Sequence, residues 1–558
     1  MTNHPPVRLA ITCCVLAALC IFVPSAGAAE ASAALEGAKR IEVQGDFGGW
    51  VTALPDGRLM TWWTEDKPGS KSAKGSVQQA WARYSTDKGA TWSGPQLLLE
   101  FPRSTGKSRY TRDARGGVLC DKDGGLHLIG LHWSDWSWEK FAGRSAVFHV
   151  KSNDGGKRWS NVQILRSPYR YSGMHMPLCL RSGRIIVPIW HAFDDRRAWG
   201  CICAISDDRG ETWRTTGQMG AGLEDEQSGV ELKDGRVWML FRANHGHLLE
   251  AFSKDGGETW VDIRPSRFVA PASPPALLRL KDGRIIVIWN NSLKPKHVFN
   301  RLVLAAAISS DDGKTWRGYR EIARTSGVPG PKGWVCYPYI TQTKDGTVIV
   351  TYGTAGFKAN LLRLDPDWLM QTIFREGFSR GLANWNTMRT KGVSLVAHPT
   401  RGNGKVLALR KPDANTAAGA SLNFPFGAEG ALRIRLRLEP GFQGVRICLT
   451  DHFTWPFYAE DGRFGIRVWA NGQIVEPVGA GEIAQTGSTL KAGKWHTLRF
   501  AWDCKRRTCA LSVDAQHVAD LSQRSRAAGI CYLRLWSSAL QTDQAGLLVD
   551  SVGVSVKP

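Results

Sequence analysis

Ser206-Asp-Asp-Arg-Gly-Glu-Thr-Trp213 is one of five copies of an octapeptide with the pattern Ser-x-Asp-x-Gly-x-Thr-Trp. The other copies are Ser85–Trp92, Ser152–Trp159 (with Arg158 in place of Thr), Ser253–Trp260 and Ser309–Trp316. The octapeptide, here called the Asp box, is typical of a tight turn, because Asp binds backbone N–H groups, Gly accepts a positive φ and Trp packs into the adjoining sheet. Five copies predict a repeat architecture.

A second repeat runs in step with the Asp box. Asp-Gly or Ser-Gly turns recur, and apolar runs such as Ile285–Trp289 follow them. The turn glycines are Gly57, Gly124, Gly183, Gly235, Gly283 and Gly346. A hairpin turn, an apolar strand and then an Asp box predict one four-stranded antiparallel sheet per period. The sixth period lacks a box, and the six sheets together predict a six-bladed β-propeller over residues 40–370.

The pattern of the chain changes after Trp385. Longer strands with regular alternation, such as Ala431–Leu438 and Trp495–Trp502, predict a two-sheet antiparallel β-sandwich over residues 375–558. The run from Trp495 to Asp514 resembles the laminin-G/concanavalin-like jelly rolls that accompany glycan-active enzymes. This resemblance implies a module that either binds carbohydrate or only braces the propeller. The predicted fold class is therefore all-β, a propeller followed by a sandwich (jelly roll).

The first 29 residues have the features of a secretory signal peptide. Arg8 precedes an apolar run from Leu9 to Val23, and small residues follow at Ser25–Ala29. The run is too short for a comfortable membrane span, and no later segment is long and apolar enough to be one. We therefore expect a soluble protein that is secreted or periplasmic.

The cysteine content and the net charge limit the classes of ligand that the protein is expected to bind. Nine cysteines follow the signal segment, and Cys504 and Cys509 are predicted to form a disulfide across a hairpin. Because no cysteine or histidine cluster has zinc spacing, no metal or cofactor is expected. The net charge of +22 suits a polyanionic partner. No basic block with interleaved aromatics indicates nucleic acid, so the expected partner is an anionic glycan.

The innermost strands of a propeller open onto a central funnel, which is the default ligand site. Residues at one distance before the turn glycines should lie at one height around this funnel. Nine positions before the six glycines stand Gly48, Arg115, Met174, Glu226, Pro274 and Tyr337. An acid, a base and a phenol at one level indicate chemistry rather than core packing.

The six periods and their Asp boxes resemble the sialidase (neuraminidase) superfamily over about residues 45–370. Asp225–Ser228, followed by Arg242, resembles the family's pairing of a pocket glutamate with an arginine that binds the substrate carboxylate. Arg301, eight residues before the Ser309 box, stands where the family places another such arginine. Tyr337–Ile340 resembles the segment that bears the nucleophilic tyrosine. Asp113 and the stretch Ser172–His175 resemble pocket-lining segments.

The resemblance implies a retaining exo-glycosidase that cleaves terminal sialic acid or a related acidic sugar. Tyr337 is then the nucleophile, with Tyr339 as its close rival, and Glu226 is the base that a phenol of pKa near 10 requires. A neutral tyrosine suits this substrate because the sugar's own carboxylate would repel a carboxylate nucleophile. Asp66, with Glu65 beside it, is the nominated general acid.

One position departs from the family pattern. Sialidases carry a first substrate-binding arginine on the opening inner strand, where this chain has Gly48. Arg115 stands at the same predicted height and could replace it, as could Arg103 or Arg109. Two alternatives therefore stay open: a propeller hydrolase or lyase acting on another acidic (uronic acid) polysaccharide, and a non-catalytic glycan-binding protein.

Overall fold

The computed structural model of the protein describes residues 37–41, 49–70, 76–103, 112–113, 116–133, 145–165, 171–192, 199–219, 225–293, 300–325, 333–354, 358–387, 390–455, 462–477 and 483–557. Within these ranges the regular structure is β, apart from a short 3-10 helix at Trp368–Met370. No helix in these ranges has the length and apolar character needed to cross a membrane. The predicted signal segment lies outside them.

Six antiparallel sheets, here called blades I to VI, succeed one another along the described part of the chain and confirm the predicted propeller. Blade I consists of β2 (Val51–Ala53), β3 (Leu59–Asp66), β4 (Ser76–Ser85) and β5 (Gln96–Arg103), with β6 (Arg112–Asp113) beside β3. Blade II consists of β7 (Gly116–Cys120), β8 (Leu126–Trp133), β9 (Ser145–Ser152) and β10 (Gln163–Leu165). Blade III consists of β11 (Tyr171–Met174), β12 (Leu178–Cys179), β13 (Ile185–Ala192), β14 (Trp199–Ser206) and β15 (Arg214–Thr215).

The other three blades have the same strand order. Blade IV consists of β16 (Asp225–Glu231), β17 (Val237–Arg242), β18 (His247–Ser253) and β19 (Val261–Val269). Blade V consists of β20 (Ala276–Arg279), β21 (Ile285–Trp289), β22 (Val303–Ser309) and β23 (Arg317–Arg324). Blade VI consists of β24 (Val335–Gln342), β25 (Val348–Thr354), β26 (Lys358–Leu364) and β1 (Ala38–Ile41).

Blade VI is closed by the N-terminal strand β1. Ala38 pairs with Leu364, so the outermost strand of the last blade comes from the start of the described chain. Trp368 seals this closure, because its ring lies where a side chain on Gly37 would stand. Joining the two ends of the propeller in one sheet leaves no unpaired gap between the first and last blades.

The six turn glycines join the first and second strands of the six blades. Their φ angles lie between 87° and 95°, a left-handed conformation that glycine adopts without steric cost. The second strand begins two residues later in every blade, for example at Leu59 after Gly57 and at Val348 after Gly346. Distance from these glycines therefore measures height along the first strands.

The five Asp boxes begin at the last residue of the third strand of blades I to V. In blade III, Gly210 N donates to Ser206 Oγ at 2.7 Å, and Thr212 Oγ1 donates to Asp208 Oδ2 at 2.5 Å. In blade II, Arg158 takes the threonine's place and donates to the box aspartate at 2.9 Å. Because third strands run antiparallel to second strands, the boxes lie at the same end of the blades as the turn glycines.

Two further sheets follow the propeller and confirm an antiparallel β-sandwich. One contains β27 (Ile373–Glu376), β29 (Val393–Ala397), β30 (Lys405–Lys411), β32 (Glu429–Leu438), β37 (Trp495–Asp503), β38 (Thr508–Val513), β39 (Gln516–Ser522) and β41 (Asp543–Lys557). The other contains β28 (Trp385–Asn386), β31 (Gly419–Gly427), β33 (Gly444–Thr450), β34 (Phe464–Trp469), β35 (Gln473–Pro477), β36 (Ile483–Thr489) and β40 (Ile530–Ser537). Buried residues from both sheets, among them Leu432, Ile447 and Phe500, form the core between them.

The predicted Cys504–Cys509 disulfide is wrong. Both residues are free cysteines with their side chains in the sandwich core. In the hairpin of β37 and β38, Cys509 stands opposite Trp502, whereas Cys504 lies in the turn and its N–H donates to the carbonyl of Ala428. Since Cys509 pairs with Trp502 and the ladder ends at the Asp503–Thr508 pair, the two cysteines do not face each other across it.

The sandwich packs against blade V through one shared core. Phe426 stacks on Tyr319 with 4.0 Å between ring centroids, and Tyr532 Oη donates to Glu321 Oε1 at 2.9 Å. Asn423 from the sandwich accepts from the Glu321 N–H at 2.9 Å and donates to the Tyr319 carbonyl at 3.0 Å. Because these groups are buried, propeller and sandwich are joined by polar contacts that solvent does not replace.

Candidate active site

Glu226 and Tyr337 occupy equivalent β-bulges on the first strands of blades IV and VI. Pairing between β16 and β17 shifts register between Asp225 and Ser228, and pairing between β24 and β25 shifts between Cys336 and Tyr339. At both bulges the residue nine positions before the turn glycine has a left-handed backbone, with φ of 44° at Glu226 and 55° at Tyr337. Bulges redirect side chains, and strained non-glycine residues concentrate at functional sites.

Arg242 holds the carboxylates of Asp225 and Glu226. Its Nη1 lies 2.5 Å from Glu226 Oε2, and its Nε lies 3.3 Å from Asp225 Oδ1. Arg242 is the last residue of β17, directly opposite Asp225 in the ladder. Since second strands run away from the turn glycines, this ion-pair group lies at the end of the propeller opposite the Asp boxes.

Arg301 lies against Tyr337. Arg301 Nη1 is 3.5 Å from the Tyr337 hydroxyl, and the guanidinium carbon lies 5.2 Å from the centroid of the phenol ring. Nη2 of the same arginine donates to the carbonyl of Ala272 at 2.6 Å. The guanidinium is therefore held by the segment between blades IV and V while it contacts the side chain from blade VI.

The charges of these groups act on one another and join them into one site. Burial opposes ionisation of Glu226, but Arg242, His175 and Arg301 together hold the pKa of this carboxyl below its ordinary value. Burial, reinforced by the charge of Glu226, raises the pKa of Tyr337, which the two arginines offset only in part. The site therefore combines an ionised carboxylate with a protonated phenol at neutral pH.

His175 supports the same group from blade III. Its Nε2 lies 3.2 Å from the carbonyl oxygen of Pro275, and burial lowers the pKa of its imidazole. The sequence pattern had singled out Pro274 at the shared height. The structure instead uses the adjacent carbonyl of Pro275, which no side-chain pattern indicates.

Tyr339 is separated from this group by packing. Its ring stacks on Trp50 with 5.8 Å between centroids and 10° between planes, and the side chain belongs to the core of blades V and VI. Burial raises the pKa of Tyr339 to about 12. Of the two tyrosines predicted as candidates, Tyr337 is the one that contacts Arg301.

Asp66 and Asp113 come from blade I. Asp66 is the last residue of β3, as Arg242 is the last residue of β17, so both lie at the same end of the propeller. In β6, Asp113 pairs with Thr64, and Arg112 pairs with Glu65. Glu65 points to the opposite face of the strand from Asp66, because adjacent residues of a strand alternate. Of Asp113 the backbone alone is described.

Two residues of the predicted site lie outside the described residues. One is Gly48, which stands where sialidases carry their first substrate-binding arginine, and the other is Arg115, the residue predicted to replace that arginine. Arg109 also lies outside, and for Arg103 the backbone alone is described. Among the described residues, His, Cys, Asp and Glu form no group of three or more that could hold a metal ion.

Comparison with known proteins assigns the propeller to a family. Residues 57–350, more than half of the 558-residue chain, match the family described as BNR repeat-like domain. The chain belongs to this family. The matched residues include all five Asp boxes, from Ser85 to Trp316.

Several sialidases are similar to this BNR repeat-like chain. A sialidase of Micromonospora viridifaciens is 28% identical over 340 residues, covering 54% of this chain and 48% of that protein. A sialidase of Bacteroides fragilis is 24% identical over 259 residues, covering 42% of this chain and 47% of that protein. The chain thus spans about half the length of these relatives. The solved Trypanosoma rangeli sialidase in complex with 2,3-difluorosialic acid is 14% identical, with a TM-score of 0.43 over 94% of this chain and 96% of that one.

Sequence reasoning missed the role of Asp225. Asp225 stands in the motif Asp225–Ser228, and its carboxylate shares Arg242 with Glu226. The sequence contains a signal for this role. Asp225 and Glu226 are adjacent acids on the first strand of a predicted hairpin, and Arg242 on the second strand can bind both of them. Arg242 was predicted to bind substrate, and in the structure its described partners are these two acids.

Proposed function

We propose that this BNR repeat-like protein is an exported, sialidase-like exo-glycosidase that removes terminal sialic acid or a related acidic sugar from glycans. The observation that carries the proposal is the contact of a partly buried phenol with a guanidinium beside an ionised carboxylate, formed by Tyr337, Arg301 and Glu226. Similarity to sialidases and membership of the BNR repeat-like family support the same substrate class. The predicted signal segment and the net charge of +22 favour export and an anionic glycan.

In the proposed reaction, Tyr337 is the nucleophile. Its oxygen forms a bond to the anomeric carbon as the bond from that carbon to the leaving oxygen breaks, and the phenol proton passes to Glu226. The raised pKa of Tyr337 means that little phenolate exists before attack, so a base is needed at the moment of reaction. The lowered pKa of Glu226 keeps that base ionised.

Arg301 and Arg242 receive the substrate carboxylate in this proposal. A guanidinium binds a carboxylate through two parallel N–H···O bonds, and such charge-assisted bonds are strong in a partly buried site. Arg242 already neutralises Asp225 and Glu226. Its second role is therefore to keep the base charged and in place, while Arg301 makes the larger contribution to binding.

Asp66 is proposed as the general acid. It would protonate the leaving oxygen in the first step and accept a proton from the attacking water in the second. Its place at the end of β3 puts it on the same end of the propeller as Arg242. A retaining outcome follows because the sugar is displaced twice at the same carbon.

The test is hydrolysis of a fluorogenic sialoside by the full chain. We expect turnover by the wild type and a loss of about 10³-fold or more in kcat for Tyr337→Phe, because the nucleophile is removed. Glu226→Gln should lose about 10²-fold or more in kcat. The matched control is Tyr339→Phe, which removes a hydroxyl from a tyrosine packed on Trp50 and should keep most of the activity.

Three results would contradict the proposal. Full activity in Tyr337→Phe would show that Tyr337 is not the nucleophile. Absence of sialoside cleavage with release of unsaturated, ultraviolet-absorbing products from uronic acid polysaccharides would assign a lyase. Tight glycan binding without turnover would assign a binding protein.

A further inference from the structure

A loop of the sandwich reaches the blade that carries Arg301. This sandwich loop, Asp451–Trp455, meets the blade V segment Asn290–Leu293, which follows β21 at the same end of the propeller as Arg242. The Phe453 N–H donates to the Asn291 carbonyl at 3.0 Å, and the Leu293 N–H donates to the Phe453 carbonyl at 3.0 Å. Phe453 and Ser292 thereby form a parallel β-bridge between the two domains.

The blade V segment in turn holds the backbone on both sides of Arg301. The fully buried hydroxyl of Ser292 donates to the carbonyl of Asn300 and accepts from the N–H of Leu302 at 3.4 Å. These two residues flank Arg301 in the chain. One side chain therefore fixes the peptide groups before and after the arginine.

Asn290 extends the same support to the strand of Tyr337. Its buried Nδ2 donates to the carbonyl of Val303 at 2.8 Å and to that of Val335 at 2.7 Å. The Val335 N–H donates to the carbonyl of Arg301 at 2.9 Å. These hydrogen bonds connect the start of β22, the start of β24 and the backbone of Arg301.

The sandwich end of this connection is rigidly packed. Phe453 is 2% exposed and lies in the shared core of blade V and the sandwich, with its ring 6.3 Å from that of Tyr532. Asn291 Nδ2 also donates to the Asp451 carbonyl at 3.1 Å. Close-packed cores transmit displacement, so a void at Phe453 would loosen the blade V segment rather than leave it in place.

We propose that the C-terminal sandwich is a positioning element of the active site, in which Phe453 and Ser292 fix the backbone that presents Arg301 to the substrate carboxylate. The inference rests on the proposed function, in which Arg301 binds that carboxylate. An arginine that binds through two parallel hydrogen bonds must be held to within about 0.5 Å of its productive position. Phe453 and Ser292 are positioning residues, since they act through the backbone that carries Arg301.

Kinetics with a matched control separate positioning from general stability. Phe453→Ala and Ser292→Ala should each raise KM for the fluorogenic sialoside about tenfold while changing kcat less than threefold, as expected for weakened carboxylate binding. Phe426→Ala is the control, because it truncates a buried phenylalanine of the same inter-domain core without touching the blade V segment. It should lower the melting temperature by a similar amount and leave KM within twofold of the wild-type value.

A double-variant cycle tests the route through Arg301. In an Arg301→Ala background, Phe453→Ala should cause no further rise in KM, because both changes remove the same interaction. Multiplicative effects in the double variant would overturn the proposal. A KM within twofold of wild type in Phe453→Ala and Ser292→Ala would overturn it as well.

Hydrogen exchange provides a readout that does not require catalysis. In Phe453→Ala, the amides of Leu302 and Val335 should exchange at least tenfold faster, whereas in Phe426→Ala they should keep the wild-type rate. Unchanged exchange at these two amides would refute the positioning role. If the wild type cleaves no sialoside, the proposed function fails, and the exchange result still decides whether the sandwich fixes this backbone.

Discussion

A buried pair of histidines predicts that this propeller loses stability in mild acid. His127 Nδ1 lies 3.0 Å from His149 Nε2, His127 Nε2 lies 3.1 Å from Asp121 Oδ2, and both rings are almost fully buried. The pair belongs to blade II and packs against the Asp box of blade III, where Trp213 meets His149 edge-on at 5.0 Å. Protonating this group therefore places charge in the joint between two blades.

The magnitude follows from the pKa of His149. Burial lowers it from 6.5 to about 4. Above pH 6.5 the imidazole is neutral in both states, and between pH 6.5 and 4 the unfolded chain binds a proton that the folded protein does not. The contribution of His149 to the free energy of unfolding should therefore fall with decreasing pH through this window, by about 3 kcal/mol in all, and stay constant below pH 4.

The assay compares the wild type with His149→Gln. Urea unfolding, followed by tryptophan fluorescence at several pH values from 7 to 4, measures the pH dependence of stability in each protein. The glutamine variant should lose the contribution of His149, so its profile should be flatter by about 3 kcal/mol over the window. His517→Gln is the control, since His517 is an exposed histidine of the sandwich and its loss should leave the slope unchanged.

Parallel profiles for the wild type and His149→Gln would refute this reasoning. They would mean that the folded protein already holds the extra proton. Three hydrogen bonds run from Asp121 through the two rings to Gln163 Oε1, and two neutral imidazoles supply only two N–H groups. Parallel profiles would therefore assign an imidazolium to the native pair, balanced by Asp121.

Three further changes have expected outcomes. Gly210→Ala should lower the free energy of unfolding by about 2 kcal/mol in chemical unfolding, since the φ of Gly210 is 80° and a Cβ would lie 2.7 Å from a buried imidazole. In the control Gly217→Ala, the new Cβ meets open space, so the free energy of unfolding should stay within about 0.5 kcal/mol of the wild-type value. Asn423→Ala should cost about 3 kcal/mol in the same measurement, because it leaves three buried backbone groups without their partner, two of them in the propeller; a loss below about 1 kcal/mol would contradict this. Alkylation of the unfolded protein without reductant should label both Cys504 and Cys509 in mass spectra, and a linked, unlabelled pair would refute their assignment as free thiols.

The architecture could be predicted because its determinants are local. The hydrogen bonds of each Asp box lie within its own eight residues, and each turn requires only the left-handed φ of its glycine. Both motifs can therefore be recognised from the sequence. Closure by β1 was not predicted, since Ala38–Ile41 carries no motif and its partner strand lies more than 300 residues away. The wrong disulfide has a similar origin: sequence proximity favoured it, while the backbone bond from Cys504 to Ala428 is tertiary.

For the same reason, the sequence predicted which residues form the site but not their backbone conformation. Equal spacing from the turn glycines placed Glu226 and Tyr337 at one height, but a regular strand would alternate its side chains between the two faces of the blade. The bulges bring both residues into the left-handed region and remove each from the ladder. Nothing in either segment requires this conformation, because glutamate and tyrosine both disfavour it locally.

The bulges persist because tertiary contacts outweigh that local preference. Arg242 binds the redirected carboxylate of Glu226, and Arg301 lies against the redirected phenol of Tyr337. A left-handed non-glycine residue costs about 1–3 kcal/mol, and the contact with its arginine offsets part of that cost at each bulge. The backbone of Arg301 is held from blade V and the sandwich, and Arg242 is held by Asp225. The geometry of the two reacting groups is therefore a property of the whole chain, although the residues themselves can be found from their spacing.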